Sequence, residues 1–250
     1  MAFIISISST KGGVGKSTTA ENLAAEGARR GYKVLIYDMD RQGTSTKFGV
    51  RRNELIEQMI NDGQPPIPEI TQITRNPGEE DVRRTINTLS NSFDIIIIDN
   101  KADSDADFQR TAVISDIILT PLSVSHKDIE QIPRIVKIIQ TAEETMKLSD
   151  PDFTGLDHRL VMSRLKKVSK KRNNEVISFL KEGYSEYVSL SSVIIYETTS
   201  YVETEEGATV IDKKAKGAAS FQMLFDECIG KRKPAMVRNC FANTEQEIAQ

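Results

Sequence analysis

The stretch Lys11-Gly12-Gly13-Val14-Gly15-Lys16-Ser17-Thr18 decides the fold of this 250-residue chain. It follows an apolar, β-branched run, Phe3–Ile7, and leads into a helix-forming segment, Ser17–Arg30, that ends at Gly31. A strand, a glycine-rich turn and a helix in this order gather backbone N–H groups and a helix N-terminus around one point, which favours phosphate oxygens. The pattern therefore predicts a phosphate-binding loop.

Two side chains of this loop have the chemistry that a nucleoside triphosphate requires. In a phosphate loop of this pattern, Lys16 reaches the β- and γ-phosphates and the Ser17 hydroxyl binds Mg²⁺. The common pattern has a glycine where this chain has Thr10, and the next residue is an additional lysine, Lys11. This departure makes Lys11 a candidate functional residue in its own right.

Further apolar runs continue the alternation of strands and helices. Strands are predicted at Lys33–Tyr37, Phe93–Ile98, Ile117–Leu122, Arg159–Met162 and Val188–Ile195, and helices at Asp103–Ser115, Lys127–Lys147 and Ala215–Ile229. Pro133 is expected in or near the first turn of its helix, or to kink it. The alternation indicates an α/β fold, a single-domain P-loop NTPase with a mostly parallel central sheet flanked by helices on both faces.

The length and composition favour one domain. A chain of 250 residues with 38% hydrophobic residues is long enough for one large α/β core and short for two. We expect the ATPase domain to span residues 1–230 and a polar, loosely held tail to span 231–250. Residues 61–77 contain four prolines and a glycine, which predicts a surface loop around an edge strand.

Composition also narrows the classes of function. The net charge of -3 gives no overall attraction to nucleic acid, so polyanion binding would need a local basic cluster. Cys228 and Cys240 form no CxxC pair, and His126 and His158 stand apart from other metal-ligand residues, so both histidines are read as structural or surface residues. With no secretory signal and no apolar run of about 20 residues, a reduced cytoplasmic protein without a membrane partner is expected.

The octapeptide KGGVGKST resembles the signature of the ParA/MinD family of deviant-Walker ATPases. The resemblance implies that residues 11–18 bind ATP with Mg²⁺. It also implies that Lys11 crosses a dimer interface to the partner's nucleotide, so that the active species is an ATP-sandwiched homodimer. The implied catalytic residues are Lys11, Lys16 and Asp40.

Two aspartate segments extend this resemblance. Asp38-Met39-Asp40-Arg41-Gln42 is similar to the family's DxDPQ segment, which implies that Asp40 orients the water attacking the γ-phosphate and that Asp38 lies near the Mg²⁺ shell. Arg41 replaces the usual proline, and Asp38 could instead simply end a strand. Four isoleucines lead to Asp99, the form of a strand whose last aspartate holds Mg²⁺ through water. Ser17, Asp38 and Asp99 are the predicted metal residues.

The remainder of the chain resembles short, ParF-like partition ATPases. The segments Tyr201–Val210 and Ala215–Ala218 match a recurring pattern before the last helix, and the position of the phosphate loop leaves no room for an N-terminal helix-turn-helix. The resemblance implies slow ATP hydrolysis, nucleoid association in the ATP state and a centromere-binding, ParB-like adaptor protein that triggers release.

A basic cluster supports a DNA contact. From Arg159 to Arg172 the chain has seven basic residues and no acidic one, and such residues bind phosphates without reading sequence. The predicted non-specific DNA-binding residues are Arg164, Lys166, Lys167, Lys170, Lys171, Arg172, Lys213, Lys214 and Lys216. Arg164 also lies where this family touches adenine, so it is predicted to serve either the nucleotide or DNA.

Four other functions are found on the same core. A conjugation or DNA-transfer accessory ATPase would also touch DNA. A MinD-like membrane-associated regulator needs a basic amphipathic C-terminal helix, whereas the segment from Asn239 to Gln250 is acidic and poor in large apolar residues. Iron proteins would need cluster-binding cysteines, and ligases for small carboxylic acids would not be expected to have Lys11.

Overall fold

Seven strands form one sheet in the order β3-β2-β4-β1-β5-β6-β7, and all six strand pairs are parallel. The structure is a computed structural model that describes residues 1–40, 43–76, 81–203 and 207–238. The strands are β1 (Phe3–Ile7), β2 (Val34–Asp38), β3 (Thr71–Thr74), β4 (Ile95–Asp99), β5 (Ile117–Leu122), β6 (His158–Leu165) and β7 (Ser189–Tyr196). The parallel α/β class is confirmed.

Helices connect these strands and cover both faces of the sheet. They are α1 (Lys16–Arg29), α2 (Thr44–Asn61), α3 (Val82–Leu89), α4 (Asp105–Ala112), α5 (His126–Ile129), α6 (Ile132–Ser149), α7 (Lys170–Gly183), α8 (Ser200–Glu203) and α9 (Ala218–Cys228), with a 3₁₀ turn at Lys167–Ser169. In the described part of the chain, none of the helices combines the length and apolar character that a membrane crossing requires.

Alternate side chains of the central strands enter different hydrophobic clusters. Ile5 packs with Leu23 of α1 and Phe221 of α9, whereas Ile4 packs in a cluster with Ile86 of α3. Burial on both sides requires continuously apolar strands, and β4 meets this requirement because all five of its residues are buried. The sheet is therefore a rigid, two-sided support for the loops at its edges.

The sheet order reverses at β1, which lies between β4 and β5. The connection after β1 leads to strands on one side, and later connections fill the other side. In open parallel sheets the crevice at such a reversal, beyond the carboxyl ends of the strands, is where ligands bind. The loop 8–15 that follows β1 lies at this crevice.

The predicted helix Lys127–Lys147 is present as two helices. The short helix α5 ends at Ile129, and α6 begins at Ile132 with Pro133 in its first turn. Proline fits this position because its missing N–H would be unpaired there anyway, whereas it cannot continue a preceding helix. The prediction for Pro133 is confirmed. The predicted single helix is two helices because a proline cannot continue a preceding helix.

Within the predicted tail, residues 231–238 make ordered contacts with the sheet and with α6. Met236 pairs with Leu190 across the open edge of β7 through backbone hydrogen bonds of 2.8 and 3.1 Å. Arg238 is buried, where its guanidinium donates to Glu143 and, at 2.7 Å, to the carbonyl of Leu156. An unpaired sheet edge favours such a covering segment. Residues 239–250, including Cys240, lie outside the described residues.

At the opposite edge, the region from residue 61 contains the predicted edge strand, because among the residues that the structure describes β3 pairs only with β2. Ile70 is buried just before β3, which anchors the otherwise irregular segment. The expectation of an edge strand within a surface loop is confirmed, while Pro77 lies outside the described residues.

Candidate nucleotide site

The phosphate loop ends in two glycines with left-handed backbone. Gly13 has φ 76° and Gly15 has φ 94°, a region that glycine adopts without steric cost. A Cβ on Gly15 would lie 3.2 Å from the Ser163 hydroxyl, so a larger residue would be both strained and crowded. Gly15 precedes α1 and gives it no side-chain cap, which leaves the first N–H groups of the helix available to an anion.

The second lysine of the loop, Lys16, points into the protein. Its relative exposure is 9%, and burial lowers the pKa of its ammonium, while the charges of Asp99 and Asp40 act in the opposite direction. A desolvated ammonium beside carboxylates is an electrostatic arrangement suited to a polyphosphate, which would bring further negative charge to the same cation. The predicted role of Lys16 toward the β- and γ-phosphates stays a prediction.

Asp99 ends β4 with one carboxylate oxygen occupied and one without a hydrogen-bond partner. Oδ2 accepts a 2.7 Å hydrogen bond from the Ser45 hydroxyl, and Oδ1 is buried and unpartnered. Burial raises the pKa of Asp99 to about 6, although the nearby Ser17 hydroxyl opposes the shift. An orphaned carboxylate oxygen beside a hydroxyl fits a hydrated Mg²⁺, which prefers such oxygen ligands.

The described residues contain no cluster of three or more histidine, cysteine, aspartate or glutamate side chains that could hold a metal ion by themselves. Mg²⁺ typically retains several waters and binds through one or two carboxylates together with substrate phosphates. The predicted roles of Ser17 and Asp99 toward Mg²⁺ stay predictions.

Asp38 uses both carboxylate oxygens to organise the turn after β2. Oδ1 accepts from the Asp40 N–H at 2.9 Å, and Oδ2 accepts from the N–H and hydroxyl of Thr46 at 3.1 and 3.3 Å. It is almost fully buried, which raises its pKa. Asp38 thereby fixes the position of Asp40 and the first turn of α2, while its predicted place near Mg²⁺ stays a prediction.

Asp40 lies at the end of this turn and is partly buried. Its charge contributes to the environment of the Lys16 ammonium, so it belongs to the phosphate end of the site. Its predicted role toward the attacking water stays a prediction. Arg41 and Gln42 lie outside the described residues.

Lys11, the first lysine of the loop, is held by its own chain. Its Nζ lies 2.6 Å from Asp128 Oδ1, and the two side chains are 41% and 4% exposed, respectively. Asp128 also accepts hydrogen bonds from Ser123 and, at 2.6 Å, from Ser125. Three donors around a buried carboxylate lower its pKa against the effect of burial. Lys11 is therefore partly exposed and paired with Asp128, whereas Lys16 is buried.

Sequence reasoning missed Asp128, although a local signal existed. Ser125 caps α5 by accepting from the Asp128 N–H, and Asp128 lies three residues later, the spacing of a helix capping box. That pattern indicates a helix start and says nothing about Lys11, because Lys11 and Asp128 are 117 positions apart in sequence and meet only in the folded protein.

Asn100, which directly follows Asp99, occupies the centre of a buried polar cluster. Its Nδ2 lies 2.8, 2.6 and 2.8 Å from the hydroxyls of Ser6, Ser8 and Thr111, respectively. These residues belong to β1, the start of the phosphate loop and α4. The loop after β4 is therefore fastened to the base of the phosphate loop, another contact that the sequence alone did not indicate.

A cavity of about 360 Å³ adjoins the loop on the side of α9. Its walls outside the loop are formed by Ser163, Arg164, Ile195, Glu197, Thr198, Tyr201 and Phe221. The rings of Tyr201 and Phe221 meet edge to face at 6.0 Å. The size and partly apolar lining suit a nucleoside. Arg164 lies at this cavity, and its predicted role toward either the nucleotide or DNA stays a prediction.

The basic residues of the predicted DNA-binding region are mostly exposed, with Arg159 as an exception. Lys166, Lys167, Lys170, Lys171 and Arg172 are exposed at the end of β6 and the start of α7, and Lys213, Lys214 and Lys216 are exposed before α9. Arg159, counted in the same basic run, instead has a side chain only 12% exposed that pairs with Asp157 and Glu227. Arg159 therefore does not contribute to a surface cluster.

Comparison with known proteins agrees with this geometry. The chain matches the family model described as CobQ/CobB/MinD/ParA nucleotide binding domain over residues 5–206. It is 26% identical to the chromosome partitioning protein ParA of Myxococcus xanthus, covering 94% of this chain and 90% of that protein. It is also 26% identical to the septum site-determining protein MinD of Helicobacter pylori, covering 92% of each.

A solved structure with the same fold is cobyrinic acid a,c-diamide synthase from Mycobacterium smegmatis with bound ADP and magnesium. The TM-score is 0.63 at 18% identity, with 94% of this chain and 99% of that chain covered. A likeness at this identity concerns the fold alone, whereas the family model spans most of the chain and includes the whole phosphate loop. The protein therefore belongs to the CobQ/CobB/MinD/ParA nucleotide-binding family.

Proposed function

We propose that the protein is an ATP-dependent DNA partition ATPase. Residues 11–18 bind the phosphates of ATP, Ser17 and Asp99 hold Mg²⁺, and Lys16 neutralises charge on the β- and γ-phosphates. The buried Lys16 ammonium and the unpartnered oxygen of Asp99 support this arrangement. Bound Mg²⁺ supplies electrostatic stabilisation of the transferring phosphoryl group.

Hydrolysis needs one further group, a residue that orients the attacking water. Asp40 is the candidate, because its backbone is fixed by Asp38 and its charge lies near Lys16. Phosphoryl transfer depends mostly on positioning and charge neutralisation. With no additional cationic finger assigned, slow basal turnover to ADP and phosphate is expected, as suits a timing switch.

The observation that carries the proposal is the division of labour between two lysines of one loop. Lys16 is buried in its own site, whereas Lys11 is 41% exposed at the side chain and paired with Asp128 at the loop's outer end. A lysine at the outer end is available to a second copy of the chain. We therefore assign Lys11 to the partner's nucleotide in an ATP-sandwiched homodimer.

The dimer would bind DNA without sequence preference and follow the nucleoid. The exposed basic residues at the start of α7 and before α9 support this part, since phosphate contacts require lysine and arginine side chains rather than base readout. A centromere-binding, ParB-like adaptor would stimulate hydrolysis and release the dimer, so that plasmid or chromosome cargo is positioned.

The test measures dimerisation and binding to an arbitrary DNA duplex with ATP, with ADP and without nucleotide, over a salt series. The wild type is compared with Lys11→Ala and with Lys147→Ala, an exposed lysine on α6. We expect ATP-dependent dimers and DNA binding that weakens steeply with salt. Both should be lost in Lys11→Ala and kept in Lys147→Ala.

Two outcomes would contradict parts of the proposal. ATP-dependent dimers without DNA binding would remove the partition function and leave a nucleotide-gated dimer with another target. Dimers that persist in Lys11→Ala would remove the role of that lysine across the interface.

A second candidate is a MinD-like membrane-associated regulator, which the similarity to the MinD protein of H. pylori favours. The same experiment distinguishes it when anionic lipid vesicles replace the duplex. ATP-dependent binding to vesicles, with none to DNA, would select this alternative.

A further inference from the structure

An irregularity in β6 directs Arg164 at the phosphate loop. The pairing of β6 with β7 shifts register between Met162 and Leu165, and within this interval Arg164 has φ 55°. A bulge re-aims side chains at the end of a strand, and a left-handed backbone at a residue other than glycine is strained. Such strain persists only where surrounding contacts hold it.

The contacts of Arg164 explain what holds it. One guanidinium nitrogen, Nη1, donates to the carbonyl of Gly13, and Nη2 donates to Glu197 Oε1 at 3.1 Å. A Cβ added to Gly15 would lie 3.9 Å from Cγ of Arg164, and one added to Gly13 would lie 4.0 Å from Nη1. The side chain therefore lies across the last turn of the loop.

Glu197 fixes the far end of this crossing. It follows β7 directly, and its N–H donates to the carbonyl of Leu165 at 3.0 Å, which ties it to the strand that holds Arg164. Arg164 and Glu197 also line the cavity beside the loop. The pair thus connects the phosphate loop to the carboxyl ends of two strands along the margin of that cavity.

We infer that Arg164 and Glu197 form a strap that positions the phosphate loop and slows the escape of bound nucleotide. The carbonyl and the following N–H of a trans peptide point in opposite directions, so anchoring the Gly13 carbonyl turns the Val14 N–H away from the arginine and toward the inside of the loop. Arg164 is a positioning residue in this account, serving neither adenine directly nor DNA. The inference rests on the proposed binding of ATP.

If Arg164 restrains the phosphate loop, its removal should change the dissociation rates of nucleotides, whereas the loss of a DNA contact should not. The ion pair is solvent-exposed, with side chains 51% and 41% exposed, so it contributes little alone. The charge-assisted hydrogen bond to the loop is the stronger part. Removing Arg164 should therefore accelerate dissociation of ATP and ADP by roughly tenfold, and removing only the Glu197 charge should have a smaller effect.

The experiment measures dissociation of fluorescent ATP and ADP analogues from the full chain with Mg²⁺ by stopped flow. The variants are Arg164→Ala, Arg164→Lys and Glu197→Gln, and the control is Arg83→Ala, an exposed arginine on α3. We expect faster release of both nucleotides from the first variant, intermediate release from the other two and wild-type release from the control. KM for ATP should rise while kcat at saturation stays within about twofold.

The outcomes separate the strap from other roles. Unchanged dissociation rates in Arg164→Ala would overturn the strap, as would a lower salt dependence of DNA binding at saturating ATP, which would assign Arg164 to DNA. If Arg164→Ala does not fold, Arg164→Lys and Glu197→Gln decide, and wild-type release from both would also overturn it. A wild type that binds neither analogue would refute the proposed nucleotide function, a result distinct from failure of the strap.

Discussion

Asp128 shows how one buried carboxylate can control a residue on a distant segment. Its side chain is 4% exposed and binds the exposed ammonium of Lys11, whereas the proposed dimer requires Lys11 to reach the partner's nucleotide. Lys11 must therefore leave Asp128 when the dimer forms. Ser123 and Ser125 remain as donors to the carboxylate, which limits the cost of that step.

Asp128→Asn should accordingly make dimerisation easier. An ion pair with one exposed partner contributes up to about 1 kcal/mol, equivalent to about fivefold in an equilibrium constant. We expect the ATP concentration for half-maximal dimerisation to fall by up to that factor, measured by light scattering or analytical ultracentrifugation. Asp152→Asn, at an exposed loop position, is the control. A higher ATP requirement in Asp128→Asn would show that Asp128 supports the dimer.

The raised pKa of Asp99 makes a second prediction at the residue scale. Burial shifts its pKa from 3.8 to about 6. As pH rises from about 4 to 6, the unfolded chain loses this proton before the folded protein does, so folding becomes less favourable. The total loss is roughly 3 kcal/mol, complete above the folded pKa. Asp99 therefore lowers stability at neutral pH in the absence of metal.

Asp99→Asn removes this penalty. Relative to the wild type, the variant should gain about 2 kcal/mol in free energy of unfolding between pH 4.5 and 7.5, measured by urea denaturation without nucleotide or metal. His158, whose pKa burial lowers to about 3, makes the folded state less stable toward acid, but it does so in both proteins and cancels in the difference. A stability difference that does not change with pH would contradict the prediction.

At the scale of elements, α2 is fixed by a buried ion pair. Arg52 is fully buried and donates to both oxygens of Asp212 at 2.8 and 3.0 Å, and also to the carbonyls of Pro68 and Gly207. One guanidinium therefore joins α2 to the segment before β3 and to the segment before α9. The first turn of α2 carries Ser45, the hydrogen-bond partner of Asp99.

Arg52→Leu should lower the free energy of unfolding by about 3–5 kcal/mol, because it leaves a buried carboxylate without its cation. The neighbouring Arg51→Leu, at an exposed position, should change it by at most about 0.5 kcal/mol. Adding Asp212→Asn to Arg52→Leu should recover part of the loss, as measured by guanidinium denaturation. Equal effects of the two arginine variants would show that the ion pair contributes nothing.

The elements that could be predicted from sequence are those with a local cause. The strands around Ile5 and Ile97 are apolar because both faces are covered, and the loop from Lys11 to Thr18 has a pattern that phosphate binding alone explains well. The sequence did not reveal that the predicted helix is interrupted at Glu130 and Gln131, before Pro133. Local propensity was insufficient there, because two residues separate the end of α5 from the start of α6.

The partners of the site residues had no local cause. Asp128 meets Lys11, Ser45 meets Asp99, and Arg164 meets Gly13 only because parallel strands bring loops from distant parts of the chain to one edge. The motifs in the sequence thus predicted which residues would bind phosphate or metal. It could not indicate which neighbours restrain them.

At the scale of the whole molecule, the two sheet edges differ. Within the described ranges β3 pairs with β2 alone, whereas β7 is covered on its outer side by Met236. Arg238 adds a buried contact to the carbonyl of Leu156 and brings its N–H to the Ser189 hydroxyl. Residues 231–238 therefore belong to the folded domain.

A chain ending at Gly230 should be less stable than one ending at Arg238, by about 3 kcal/mol or more, because it exposes the edge of β7 and leaves Glu143 without its buried cation. Thermal unfolding and light scattering measure the loss and any aggregation. Arg238→Leu in the longer chain separates the ionic part from edge coverage. Similar melting temperatures for the two chains would show that residues 231–238 add no stability, as expected of a loosely held tail.

The parallel sheet also has two rims of loops, one at the carboxyl ends of the strands and one at the amino ends. The two rims should differ in how freely the lengths of their loops can vary in evolution. Loops at the carboxyl ends of the strands place the charge of Asp40 near Lys16 and tie Arg164 to the carbonyl of Gly13, so an insertion in any of them would disturb several partners. Loops at the amino ends, such as those before β4 and β6, lie at the opposite end of the parallel strands. Length variation among descendants of this chain should accumulate on that second rim, which is also where an inserted domain or tag would be tolerated.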